Sequence, residues 1–141
     1  MTEIIDAWAI FFKSFSRLHN LMEEELKIHG FPSLEVYDVL WTLEQAKNHS
    51  LRLNELGQKV YIAKFNISRI VDRLVEQNLL IKEVCSSDKR GIFATLTIEG
   101  IKLRRNIWAI YGHLIQQHFS VKLTQADHQR LKKILSKLSW Q

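Results

Sequence analysis

The chain has 141 residues, 46% apolar and 25% charged, a balance that suits one globular domain and does not make disorder the default. No apolar run approaches the ~18 residues of a membrane span, no basic stretch precedes the first apolar one as in a signal peptide, and one cysteine makes no internal disulfide, so a cytoplasmic protein is expected. The net charge of +5 points weakly to a polyanionic partner, and it is uneven: residues 1–51 carry −4, residues 52–98 carry +3 and residues 99–141 carry +6.

The first predicted element is a helix over residues 3–28. Ile4, Trp8, Phe11, Phe15, Leu18 and Met22 recur at spacings of three and four and line one face. Ile5, Phe12 and Leu21 widen that stripe beyond the needs of one small core. Gly30 is a natural stop, with Pro32 behind it. Ser33 is then placed to cap a second helix over 34–47, closed by the polar "EQAKNHS".

Two shorter helices follow in quick succession, 53–60 ("LNELGQKV") and 64–78 ("KFNISRIVDRLVEQN"). In the second, Ile67, Ile70, Val71 and Leu74 share one face, while Lys64, Asn66, Ser68, Arg69, Asp72 and Arg73 take the others. Asn78 can end it in the left-handed conformation. Two helices joined by a few residues suggest a helix-turn-helix.

"LLIKEVC" and "IFATLT" next read as the strands of a hairpin around the polar tip "SSDKRG". A helix over 98–119 follows, with Thr97 as its cap and Glu99 in its first turn. It carries two apolar stripes, Ile101, Trp108, Tyr111 and Ile115 on one side and Leu103, Ile107, Ile110 and Leu114 on the other. A last helix over 124–138, capped by Thr124, is expected to bury Leu131, Ile134, Leu135 and Leu138.

Helix-turn-helix followed by a β-hairpin is the winged-helix arrangement. Its second helix enters the major groove of DNA, and the hairpin tip reaches the adjacent backbone or minor groove. Lys89 and Arg90 at the tip suit phosphates, and Gly91 lets the chain turn tightly there. The expected fold is mainly α with a β-hairpin wing: one subunit over 1–141, with the winged helix-turn-helix at 34–97 and dimerisation helices at 1–30 and 98–141. The homodimer is expected because the double stripes at both ends exceed what one core buries.

Over nearly its whole length the chain resembles the MarR family of bacterial transcriptional regulators. The likeness rests on Asp88, Arg90, Leu96, Thr97 and Gly100 around the wing, and on "SRIVDRL" (68–74) followed by "NLL". Arg52, Gly57, Tyr61 and Ala63 depart from the family's usual capping hydroxyl, alanine, turn glycine and second cap. The resemblance implies a homodimer on a palindromic operator in double-stranded DNA. Many family members also take a small-molecule or redox signal that weakens binding.

On this reading Ser68 and Arg69 approach base edges, while Lys64, Asn66 and Arg73 share base and phosphate contacts. Asp72, which repels phosphate, orients Arg73 or a wing residue; Asp88 fixes Arg90 or the turn. The duller reading makes Arg69 and Arg73 solvated partners of Asp72 and Glu76. By family analogy and aromatic content, an effector cleft is assigned to Trp8, Phe12, His19, Tyr37 and Trp41. Cys85 reads as a small structural residue ahead of a redox sensor.

No metal site is expected: His113 and His118 are five apart, roughly 140° around a helix, where paired ligands sit four apart. No nucleophile–base set, glycine-rich phosphate loop or spaced carboxylate pair suggests an enzyme, and no cofactor is implied. The rival reading is a winged-helix module that binds a partner protein and not DNA.

Overall fold

The computed structural model describes residues 1–62, 65–84 and 91–138. Ala63, Lys64, Cys85, Asp88, Lys89 and Arg90 therefore lie outside the described residues, and with them the expected wing tip. In chain order the elements are α1 (Thr2–Ile28), α2 (Leu34–Gln45), β1 (Ser50–Arg52), α3 (Leu53–Lys59), α4 (Ile67–Glu76), β2 (Leu80–Val84), β3 (Ile92–Leu96), α5 (Ile98–His118) and α6 (Gln125–Ser136). Short 3-10 turns occupy Lys47–His49 and Ser120–Lys122. The chain divides into two compact units: Leu26–Trp108, and Met1–Glu25 with the chain from Ala109 onward.

The unit Leu26–Trp108 holds most of the buried apolar side chains. Leu26, Val39, Leu40 and Leu43 are fully enclosed, as are Leu56 of α3, Val71 of α4, Ala94 of β3 and Ile107 of α5. Burial on α4 follows the predicted stripe, with Ile70, Val71 and Leu74 inward. Its helical stretch is shorter than 64–78 and begins at Ile67, with Asn66 at the cap position.

Helix ends are set by identifiable chemistry. Gly30 adopts φ +77°, where its N–H bonds the Lys27 carbonyl at 3.0 Å and the Phe31 N–H reaches back to Leu26 at 2.9 Å. Asn78, at φ +62°, repeats this closure on α4: its N–H bonds Val75 at 3.0 Å and that of Leu79 bonds Leu74 at 2.9 Å. Ser33 does occupy the cap position of α2, but its side chain makes no capping hydrogen bond. Thr97 behaves as expected and accepts the Gly100 N–H at 3.0 Å.

The wing is broader than a hairpin. The sheet has three antiparallel strands in the order β1-β3-β2, with Leu51 and Lys82 both opposite Ala94. The three residues of β1 are too few to show an alternating pattern, so sequence periodicity passes over them. Ser50 and Thr95 pair their hydroxyls at 2.8 Å, and the Arg52 guanidinium lies 5.2 Å from the Phe93 ring centroid.

In the other unit, Met22 and Leu114 are the buried apolar side chains among the described residues. Ile4, Ile5, Trp8, Phe11, Phe12 and Phe15 of α1 are exposed. Helix α6 starts as predicted, with Thr124 accepting the Asp127 N–H at 3.1 Å and the Asp127 carboxylate returning to the Thr124 N–H at 3.0 Å. The expected burial of Leu131, Ile134, Leu135 and Leu138 does not occur within one chain: Leu131 and Leu135 are half-buried, Ile134 and Leu138 exposed. One copy alone offers these side chains too little apolar surface to bury them.

Candidate nucleic-acid interface

The burial of Ile70, Val71 and Leu74 decides what α4 shows to solvent. Ser68, Arg69, Asp72 and Arg73 are all exposed, and Asn66 is half-buried at the helix start. Arg69 Nη2 donates to Asn66 Oδ1 at 3.2 Å, so these two polar side chains act as one group at the N-terminal end. Asp72 accepts from Lys82 Nζ of β2 at 2.8 Å, which ties the helix to a strand of the wing. Among the described residues, no carboxylate pairs with Arg69 or Arg73. The duller expectation, that Asp72 and Glu76 neutralise them, is not what the structure contains. Gly91 is buried just ahead of β3.

A residue the sequence did not single out sets up the turn before α4. Asp38, buried in the middle of α2, accepts the backbone N–H groups of Tyr61 at 2.8 Å and Ile62 at 2.7 Å through one carboxylate oxygen. A turn that leaves two adjacent donors pointing inward needs such an acceptor, because an unmatched buried N–H is costly. The only signal in the sequence is a charged residue within the apolar run "VYDVLW", and an ordinary solvated charge on a helix surface explains that pattern equally well.

The residues assigned to an effector cleft fall in both units: Trp8, Phe12 and His19 in one, Tyr37 and Trp41 in the other. Trp8 and Phe12 are 64% and 57% exposed, and the His19 ring stacks on Phe15 with centroids 5.6 Å apart. Around Tyr37 and Trp41 stands a group that sequence spacing could not assemble, because its members come from α2 and α5. Arg104 Nε lies 2.5 Å from Glu44 Oε2, and both side chains are largely buried. The same guanidinium sits 5.4 Å from the Trp41 ring centroid, while Tyr37 stacks on Trp108 with centroids 6.3 Å apart.

Burial pushes the Tyr37 phenol above its usual range, opposed in part by the hydrogen bond and charge of Arg104. Burial alone lowers the Arg104 value, but Glu44 and Tyr37 outweigh it and hold the guanidinium more firmly charged. An open cleft of about 180 Å³ is lined by Trp41, Thr42, Gln45, Ala46, Lys59 and Tyr61. Among the described residues, no group of three or more His, Cys, Asp or Glu side chains is arranged to hold a metal ion.

Comparison with known proteins matches the same region. The MarR family model fits residues 33–92, which span α2 to the start of β3. The regulator MhqR of Bacillus subtilis is 28% identical over 109 residues, which are 77% of this chain and 73% of MhqR. The transcriptional repressor MprA of Escherichia coli is 26% identical over 123 residues, 87% of this chain and 69% of MprA. The crystal structure of Sco3205, a MarR family regulator from Streptomyces coelicolor in complex with DNA, is similar with a TM-score of 0.89 at 25% identity, over 98% of this chain and 86% of that one.

Proposed function

We propose that the chain is a member of the MarR family of DNA-binding transcriptional regulators, a cytoplasmic homodimeric repressor that binds a palindromic operator. In this reading α4 lies in the major groove with Ser68 and Arg69 at base edges, and Asn66 and Arg73 divide base and phosphate contacts. Lys64 joins them, and Lys89 and Arg90 of the wing grip the backbone beside it, with Asp88 and Gly91 shaping the tip. The single observation that carries the reading is the absence of a carboxylate partner for Arg69 and Arg73 among the described residues, on the exposed face of a helix locked down by Ile70, Val71 and Leu74. Two exposed cations on a helix held by its buried face are placed for phosphates and base edges.

Dimerisation is supported by the exposed apolar side chains of α1 and α6, from Ile4 to Phe15 and at Ile134 and Leu138. Repression is carried over from MprA, a transcriptional repressor. Cytoplasmic residence follows from the role of a DNA-binding regulator; no described helix is long and apolar enough to cross a membrane. Release by a small molecule is the remaining part of the reading. It rests on Tyr37 and Trp41, gathered about Arg104 in one unit, and on the exposed rings of Trp8 and Phe12 with His19 in the other.

Selection of bound sequences from random duplex DNA tests the whole. An inverted repeat with half-sites about one helical turn apart, roughly 34 Å, is expected. Enrichment of no sequence, or of an asymmetric one, contradicts the reading. A screen for compounds that dissociate the selected complex tests the effector part separately: if no aromatic or acidic compound changes DNA affinity, that part falls and DNA binding stands.

A further inference from the structure

Phe65 stands immediately before the cap residue of α4 and is 97% exposed. Almost none of its ring touches its own chain, although the ring is among the largest apolar groups a residue can bury. Three neighbours fix what environment it meets. Asn66 follows it and is hydrogen-bonded to Arg69 at 3.2 Å, and Ser68 is exposed on the next turn of backbone. The polar residues around Phe65 are thus the ones placed for base edges, at the N-terminal end of the helix, the end from which a recognition helix reads bases.

In that environment one apolar group is on offer. The major groove presents hydrogen-bond donors and acceptors on every base pair, and a methyl group only on thymine, where apolar side chains including phenylalanine make contact. We propose that Phe65 is a specificity-determining residue, its ring packing on the 5-methyl group of one thymine in each half-site. The inference rests on the reading of α4 as the base reader. It adds that the operator contains a required thymine next to the bases addressed by Asn66 and Arg69. A charged phosphate would not suit the ring, and a polar base edge would leave a donor or acceptor unmatched against it.

Replacing thymine by deoxyuridine deletes that methyl group and leaves the hydrogen-bonding edge unchanged. The full-length protein and its Phe65→Ala, Phe65→Leu and Arg69→Ala variants are titrated against the duplex obtained by selection. Matching duplexes carry deoxyuridine in place of one thymine at a time, in both half-sites. One position is expected at which the native protein loses about fourfold in affinity per half-site, the factor for one buried methyl-sized group. Phe65→Ala binds the parent duplex more weakly and is indifferent to deoxyuridine there. Phe65→Leu and Arg69→Ala stay sensitive.

Equal responses of the native protein and Phe65→Ala at every thymine overturn the inference, as does a selected half-site without thymine. Because Phe65 is solvent-exposed, its variants should unfold at the native temperature, and the response of the native protein to deoxyuridine is read without any variant. Failure of α4 as the base reader has a different signature: Arg69→Ala would then weaken selected and scrambled duplexes alike.

Discussion

Asp38 ties α2 to a turn far along the chain. One carboxylate oxygen holds two consecutive N–H groups, those of Tyr61 and Ile62, within hydrogen-bond range. The turn it holds comes shortly before α4 in the chain, so in the proposed reading its contribution is geometric rather than by contact with DNA. Asp38→Ala should destabilise the protein by about 1.5–3 kcal/mol, the range for hydrogen bonds to a charged acceptor together with the cost of orphaned donors. Urea denaturation checks this, and Asp38→Asn, which keeps an acceptor oxygen, should recover part of the loss. An Ala variant as stable as the native protein would show that Asp38 does not hold the turn. The sequence alone could not find this residue, since its partners lie 23 and 24 positions away in a turn with no motif. The exposure of Arg69 and Arg73 was legible because the apolar residues between them fix a helical face. Arg104 was not: its value depends on Glu44, Tyr37 and Trp41 on another helix.

At the level of elements, two glycines make opposite predictions. A Cβ on Gly100 would run into the Leu79 carbonyl oxygen and the Leu96 side chain, so α5 can approach the end of the wing only without a side chain there. Gly100→Ala should therefore lower stability, by roughly 1–3 kcal/mol as for overpacking elsewhere. Gly57, inside α3, is different. A Cβ there meets the Ile67 methyl at an ordinary 3.7 Å, so alanine fits. Gly57→Ala should stabilise by roughly 0.4–1 kcal/mol through helix propensity and reduced freedom of the unfolded chain. Thermal unfolding of the two variants decides both, and a Gly57→Ala protein less stable than native would contradict the second. The helices, their stops at Gly30 and Asn78 and the cap at Thr97 were readable because each depends on residues near in sequence. Strand β1 was not, because its pairing with β3 spans more than forty residues. The side-chain cap expected of Ser33 failed for a related reason: the residue type marks the position of a cap, while the bond itself depends on the rotamer the fold selects.

For the whole molecule, the apolar residues left exposed on α1 and α6 are the feature that one chain cannot account for. Trp8→Glu together with Phe12→Glu should turn a dimer into a monomer in sedimentation at micromolar concentration, because charges cannot be buried in an apolar contact without a partner. A native protein that sediments as a monomer under those conditions would refute the dimer outright. Association with DNA should weaken steeply with salt, since each neutralised phosphate releases counterions; salt-insensitive behaviour would favour a protein partner.

In the proposed reading helix α4 reads sequence while the wing holds the backbone, because phosphates are alike everywhere whereas base edges differ. The direct test is a salt titration of Arg69→Ala and Arg90→Ala on the selected operator and on a scrambled duplex. Arg69→Ala should cost about 1–3 kcal/mol on the operator and much less on the scrambled DNA. Arg90→Ala should weaken both nearly equally and reduce the salt slope by about one. Equal losses on the two duplexes for Arg69→Ala would contradict the assignment of α4 as the reader.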